Sequence, residues 1–202
     1  MTELSTAASL TERLIGNRLW HLDPWHTGVH FRAVHRGAGW VRGRFTRVNG
    51  TIAFPDGIER PRVTVHVDLD GIGTGVPARD AHLRSADYLD TGAFPRMRLS
   101  ADRLERTGET AGVLHGELDL HGFVRPIELE TRWRGAAPDP LSEEEHLAFT
   151  ATGEISLGGF GIRPPVLPGL RLPTVGDRVA IELDVVLLPY DPAPLLADIP
   201  VT

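Results

Sequence analysis

The chain has 202 residues, a length that suits one large β domain and can bury a substantial core. Cysteine is absent, which excludes disulfide bonds, a thiolate nucleophile and cysteine-ligated zinc or iron–sulfur sites. The formal charge of −6 argues against nucleic acid as a partner, because nucleic-acid binders normally carry a basic face.

Residues 1–17 are small and polar, and we interpret them as an N-terminal tail or packing arm with a short helix near Leu10–Ile15. Glu3 and Glu12 interrupt any run of the roughly 7–15 apolar residues that a secretory signal requires. No stretch approaches the ~18 apolar residues of a membrane span. These features predict a cytoplasmic protein without a membrane span.

From residue 18 onward, apolar and polar residues alternate with a period of two in one segment after another. The clearest segment is 62–69, in which Val63, Val65 and Val67 face away from the polar residues between them. Such alternation predicts strands with one apolar and one polar face. Strand-like segments lie near residues 18–22, 29–35, 41–46, 51–54, 62–69, 96–101, 113–120, 127–134, 147–157 and 178–188, and together we take these ten segments to build about eight strands. Asn49-Gly50 predicts a two-residue hairpin turn among them.

Four segments break the alternation. Residues 77–92 predict one or two short helices, with Ser85 capping the second turn. Residues 135–145 are rich in Pro, Asp and Glu and predict an exposed loop, and residues 158–176 are irregular and rich in Gly and Pro. Residues 189–202 form a C-terminal tail.

Strands with one apolar face hide it by closing into a barrel or by stacking as a sandwich. The interior of a barrel built from these strands is lined by Val, Leu, Ile, Phe and Trp. Such a lining describes a lipid pocket and an ordinary filled core equally well, and the alternation alone leaves both open.

Catalytic chemistry is poorly supported by the sequence. No G-x-S-x-G elbow is present for a serine nucleophile. Four histidines lie between residues 21 and 35, and the even spacing of His26 and His30 places both on one strand face, where Asp23 or His66 could complete a metal site. We favour surface histidines over a metal-assisted hydrolase or isomerase, and we predict no catalytic residue and no metal.

The predicted helical segment carries the densest polar cluster, Arg79, Asp80 and His82. Capping or ion pairing by Asp80 is the favoured interpretation. The alternative is that an arginine at a barrel mouth binds an anionic head group.

Several short motifs follow one another along the chain. They are W-x-L-D-P-x-H from Trp20, V-x-F-x-x-x-H from Val29, V-x-G-x-F from Val41, N-G-x-I-x-F from Asn49, R-D-x-H-L-x-S-x-D-Y-L-D from Arg79, G-x-L-x-L-x-G from Gly116 and V-G-D-x-V-x-I from Val175. Together they resemble the YceI-like family of lipocalin-like, polyisoprenoid-binding proteins. The chain departs from the family pattern at 157–161, LGGFG, where family members usually carry an Arg and an Asp before the Phe-Gly.

The resemblance implies an all-β, eight-stranded antiparallel lipocalin-like barrel over residues 18–188, with the helical insert at about 77–92. It implies a binding protein rather than an enzyme, with a polyisoprenoid or fatty-chain lipid in the interior, no cofactor and a homodimer as one expected assembly. Arg79, Asp80 and His82 become a candidate polar rim. A structural or protein-interaction barrel with a filled core is the alternative.

Under the binding hypothesis, the inward-facing residues of the strands line the cavity. We predict an apolar lining of Val29, Phe31, Phe45, Val65, Val67, Met97, Leu99, Leu118, Leu129, Trp133, Phe149, Ile155, Ile181 and Leu183.

Overall fold

The computed structural model describes residues 14, 19–139, 142, 144–166, 169 and 173–196. Its strands are Leu19–Leu22 (β1), Gly28–His35 (β2), Gly39–Phe45 (β3), Val48–Ala53 (β4), Arg62–Asp68 (β5), Ile72–Gly73 (β6), Arg96–Arg106 (β7), Ala111–Leu120 (β8), Phe123–Pro138 (β9), Glu145–Ser156 (β10) and Val175–Leu188 (β11). Helices α1 and α2 span Pro77–Arg84 and Ala193–Leu196. Short 3-10 turns occupy Leu69–Gly71 and Gly158–Phe160.

The strands close into an antiparallel barrel. β1 and β2 both pair with β11, so together they act as one bent strand. On their other side, β1 pairs with β4 and β2 pairs with β3, so β3 and β4 act as a second bent strand. The ring then continues through β5, β7, β8, β9, β10 and β11. Closure comes from the register His21↔Leu188 and Leu22↔Leu187. The predicted eight-stranded barrel is therefore confirmed.

The predicted hairpin turn at Asn49-Gly50 is wrong. Both residues lie inside β4, where they pair with His66 and Val65 of β5. A hairpin turn of this type needs positive φ at both central residues, and neither residue has it. Gly50 serves a close approach instead, because a Cβ at this position would lie 2.5 Å from the carbonyl oxygen of Thr64.

We expect Gly50→Ala to lower the free energy of unfolding by roughly 1–3 kcal/mol, the usual effect of forcing extra atoms into a packed site. Gly39→Ala in β3 is the matched control, since its Cβ would come no closer than 3.7 Å to the His35 carbonyl oxygen. Urea unfolding measures both variants. Equal effects of the two substitutions would contradict the crowding at Gly50.

Two other segments refine the predictions. The helix predicted within 77–92 is present as α1, and Ser85 ends it by donating its hydroxyl to the carbonyl of His82 at 2.7 Å. Turns, rather than a second helix, follow as far as residue 93. The exposed loop predicted at 135–145 is shorter than expected, because β9 extends through Pro138 and Asp139 is buried.

Buried apolar side chains form two clusters inside the barrel. One includes Leu69, Tyr88, Leu120 and Phe160, and the other includes Trp20, Trp133, Leu147 and Leu187. Leu14 is 1% exposed and packs into the second cluster, and the rest of the helix predicted near Leu10–Ile15 lies outside the described residues.

Candidate functional site: an apolar interior with two cavities

The pleat of the strands directs one face of each strand into the barrel. Residues paired across neighbouring strands point to the same side of the sheet, so the inward face continues from one strand to the next. Phe31 of β2, for example, lies opposite Gly43 of β3 and Ile181 of β11. Gly43 leaves room for the neighbouring aromatic ring, since a Cβ there would lie 2.3 Å from Phe31 Cζ. Where the long strands border the cavities, their inward residues are mostly apolar because of the period-two alternation.

This packing leaves a first cavity of about 170 Å³. Each of the eight barrel strands contributes residues to its wall, when β1/β2 and β3/β4 are each counted as one strand. Its lining includes Leu22, Val29, Val48, Ile52, Phe54, Val63, Val65, Val67, Met97, Leu99, Leu104, Leu114, Leu118, Ile127, Leu129, Thr131, Phe149, Ala151, Ile181, Leu183, Val185 and Leu187. No charged side chain of the described residues belongs to this lining.

A second cavity of about 100 Å³ lies beneath the α1 segment. The helix and the turn after it contribute Leu83, Tyr88 and Leu89 to its wall. Strands, the Leu69–Gly71 turn and the 157–162 turn supply the other lining residues, which include His30, Phe31, Ala33, Phe45, Leu69, Ile72, Leu120, Ile155, Leu157, Ile162, Val175 and Val179.

The two cavities share part of their lining, and we call this shared boundary the waist. Val29, Met97 and Ile181 belong to the lining of both cavities. Met97 is unbranched and has several rotatable bonds, which makes it the most adaptable of the three side chains. The interior therefore holds two adjacent apolar chambers, and the adaptable Met97 side chain is part of their shared boundary.

All the predicted lining residues except Trp133 border one or both cavities. Trp133 is 5% exposed and packs edge-on against Phe149, with ring centroids 4.9 Å apart. It fills space in the cluster around Trp20 and Leu147 rather than bordering open volume. Trp133 therefore borders neither cavity, because parity gives the face of a residue but not its position along the barrel.

Sequence reasoning missed several lining residues. Leu104 lies beyond a register shift in the β7–β8 ladder, and the extra residue of β7 breaks a simple count of alternate positions. Leu114 shares the face of Leu118 on β8, but it was not among the predicted lining residues. Leu83, Tyr88 and Leu89 come from the helical segment, where a period of two carries no information. The apolar residues within that otherwise polar segment were the available signal.

Hydroxyl groups near the cavities are already hydrogen-bonded. The Thr27 hydroxyl donates to the Val186 carbonyl at 3.3 Å, and the Thr131 hydroxyl donates to the Gly112 carbonyl at 3.0 Å. Tyr88 Oη lies 2.7 Å from Thr174 Oγ1. These groups offer little to the polar end of a ligand, so the interior is suited to a hydrocarbon chain.

The cluster Arg79, Asp80 and His82 is tied into the helical segment. Arg79 Nε donates to Thr74 Oγ1 at 2.7 Å, and the Thr74 N–H and hydroxyl both donate to Asp80. His82 Nε2 lies 3.0 Å from Asp87 Oδ2. The structure therefore shows these residues holding α1 in place, and none of the three belongs to the lining of either cavity.

The histidines between 21 and 35 are dispersed. His26 lies in a turn rather than on a strand face beside His30, and its Nδ1 is 2.7 Å from Oδ2 of the buried Asp23. His30 Nε2 lies 3.8 Å from Asp184 Oδ2. Within the described residues, no group of three or more His, Asp or Glu side chains could hold a metal ion.

A sequence model described as the YceI-like domain matches residues 20–187. The chain belongs to the YceI-like family. Protein YceI of Escherichia coli O157:H7 is 32% identical over 146 residues, which cover 71% of this chain and 74% of that protein. Protein YceI of Salmonella arizonae is 31% identical over 144 residues, with the same coverage of 71% and 74%.

Solved structures share the fold of this YceI-like chain. BcnA of Burkholderia cenocepacia matches with a TM-score of 0.69 and 13% identity, covering 82% of this chain and 98% of that one. A polyisoprenoid binding domain from Saccharophagus degradans matches with a TM-score of 0.64 and 17% identity, covering 86% and 99%. In the part of the YceI-like chain that the structure describes, no helix is long and apolar enough to cross a membrane.

The turn at 157–161, where the sequence departs from the expected pattern, is held by Asp177 of β11. The Ser156 hydroxyl donates to Asp177 Oδ2 at 2.6 Å, and the Gly158 N–H donates to Oδ1 at 2.7 Å. Both donors stabilise the ionised form, the hydroxyl most, and they hold the pKa of the Asp177 carboxyl below its ordinary value of 3.8. A Cβ at Gly158 would lie 3.0 Å from Asp177 Oδ1, so this turn favours glycine.

The lowered pKa of Asp177 predicts that the free energy of unfolding depends on pH in the acid range. Because its folded pKa is lowered, this contribution is fully present above pH 3.8 and is lost as the pH falls toward the lower folded value. Asp177→Asn should therefore flatten the pH dependence of the free energy of unfolding in that window. Ser156→Ala should do the same in part, whereas Thr152→Ala on the same strand should not. Urea titrations over an acid pH series would show this, and an unchanged slope in Asp177→Asn would refute it.

Proposed function

We propose that this YceI-like barrel binds and carries, or sequesters, a long apolar molecule in its interior, and that the molecule is a polyisoprenoid or a fatty-chain lipid. The observation that carries the proposal is the pair of adjacent apolar chambers, with no charged side chain among the described lining of the first. The likeness in fold to a polyisoprenoid binding domain from Saccharophagus degradans supports the choice of ligand.

The energetics favour a chain over a compact ligand. Burial of one methylene is worth about 0.8 kcal/mol, so a chain of many methylenes gains affinity without any specific polar contact. The loss of translational and conformational freedom offsets part of this gain. A polar head group would lose its hydration in this interior, where the Thr27, Thr131 and Tyr88 hydroxyls already have hydrogen-bond partners, so we place the head outside the chambers.

For the head we retain the predicted rim at Arg79, Asp80 and His82. Nε and Nη2 of Arg79 both donate to Thr74, at 2.7 and 3.0 Å, which leaves Nη1 for an anionic group. In this proposal the helical segment serves both as a wall, through Leu83, and as a polar edge. The binding protein needs no cofactor and performs no catalysis, and its cytoplasmic location and homodimeric state stay predictions.

Solvent extraction of the purified protein tests the proposal. We expect an isoprenoid or acyl chain in the organic extract by mass spectrometry, or uptake of an added long-chain prenol by the stripped protein. A protein that is empty as purified and also takes up neither a prenol nor a fatty acid would overturn the proposal.

A further inference from the structure

A row of unpaired arginines runs along the outside of the barrel wall that encloses the second cavity. The inner face of β2 presents Phe31 and Ala33 to that cavity, so the residue between them, Arg32, points outward. In the β2–β3 register Arg32 lies directly opposite Arg42, and His30 lies opposite Arg44.

Like charges placed directly opposite each other across a ladder are destabilising. Within the described residues, the three arginines of this row, Arg32, Arg42 and Arg44, form no ion pair with a carboxylate. Arg32 Nε is buried and has no hydrogen-bond partner. On the neighbouring β11, Ala180 stands opposite Arg32, and Glu182 stands opposite His30. The row is therefore a local concentration of positive charge on a chain with a formal charge of −6.

An exposed tryptophan completes this surface. Trp40 is 55% exposed and lies opposite Val34, one outward position beyond the pair Arg32 and Arg42. The Arg32 guanidinium carbon sits 4.7 Å from the centroid of the Trp40 ring. We call Arg32, Trp40, Arg42 and Arg44 the arginine–tryptophan face.

We propose that the arginine–tryptophan face docks the barrel on an anionic membrane surface, an inference that rests on the proposed function as a lipid-chain carrier. Arginines are attracted to anionic phospholipids, and tryptophan is favoured at the boundary between headgroups and acyl chains. An acidic protein or a nucleic acid would satisfy the arginines but gives no reason for an exposed indole beside a lipid chamber. Docking by this face brings the second cavity next to the layer from which a chain is taken or to which it is delivered.

Vesicle co-sedimentation of the full chain tests the docking. The wild type should bind vesicles of phosphatidylcholine mixed with phosphatidylglycerol, should release them as salt is raised, and should bind pure phosphatidylcholine weakly. Each arginine near an anionic surface is worth about fivefold in affinity, so R42E/R44E should weaken binding roughly 25-fold or more.

R132E/R134E is the matched control, because it reverses two exposed arginines with the same spacing on β9, far around the barrel from this face. It should bind vesicles nearly as well as the wild type. W40A should weaken binding more than W25A, which removes the other well-exposed indole, 43% exposed. Equal losses in the two double variants would overturn the proposal, as would binding to heparin or an acidic protein without binding to anionic vesicles.

A separate measurement distinguishes docking from chain binding. R42E/R44E should take up a prenol delivered from ethanol as well as the wild type does, yet should receive it slowly from anionic vesicles. If the wild type binds vesicles but takes up no chain, the proposed function fails and docking stands. If the wild type takes up chains but does not bind anionic vesicles, docking fails and the proposed function stands.

Discussion

Replacing Ala151 with phenylalanine is expected to abolish the uptake of long apolar chains while the barrel still folds. Ala151 is buried on β10, borders the first cavity and lies opposite Thr131 and Leu183. A cavity of roughly 150 Å³ accommodates benzene, so a phenyl ring is well matched to a chamber of about 170 Å³. The added ring would occupy the space that the ligand chain needs.

The matched control for this substitution is Thr152→Phe. Thr152 is the next residue of β10 and is exposed, so its ring would extend into solvent. Titration with a long-chain prenol would measure uptake, and circular dichroism with thermal melting would check the fold. Overpacking costs typically 1–3 kcal/mol, and Leu99→Phe offers a second way to fill the same chamber if Ala151→Phe unfolds. Normal uptake by two folded, filled variants would exclude the first chamber as the ligand site.

Much of the barrel could be predicted because side chains on a pleated strand point alternately inward and outward, so alternating apolar and polar residues show which ones face the interior. Val65, Leu99, Leu118 and Leu183 were assigned inward from parity alone, and all border the first cavity. Gly50 shows where such local reasoning ends. Its Asn-Gly dipeptide is a strong turn signal, but the pairing of β4 with β5 overrides it and uses the glycine for close packing.

The division into two chambers could not be predicted from the sequence. A cavity is the small difference between the volume that the backbone encloses and the volume that side chains fill. Parity placed Trp133 and Phe149 on the same face, yet one fills the interior and the other borders open space. The second chamber also depends on Leu83 and Tyr88, which reach it only because the α1 segment folds over that end of the barrel.

The waist between the chambers leads to the second large expected effect. We expect Met97→Ala to join the two cavities and to shift the preference of the protein toward longer chains. Met97 borders both chambers together with Val29 and Ile181, and truncation removes the most adaptable of these side chains. Each further methylene buried in the joined interior adds about 0.8 kcal/mol, close to fourfold in affinity. Competition among prenols of increasing length would reveal the shift.

Leu99→Ala separates joining the chambers from simply enlarging one of them. Leu99 follows Met97 on the same face of β7 and borders only the first cavity, so its truncation adds volume there and leaves the waist intact. Both substitutions should lower the free energy of unfolding by about 2–5 kcal/mol, which makes them comparable in stability. Because only Met97→Ala opens a path between the chambers, only this variant should gain affinity for chains too long for the first chamber. A similar gain in Leu99→Ala would mean that total volume, and not the waist, sets the length of chain that the barrel accepts.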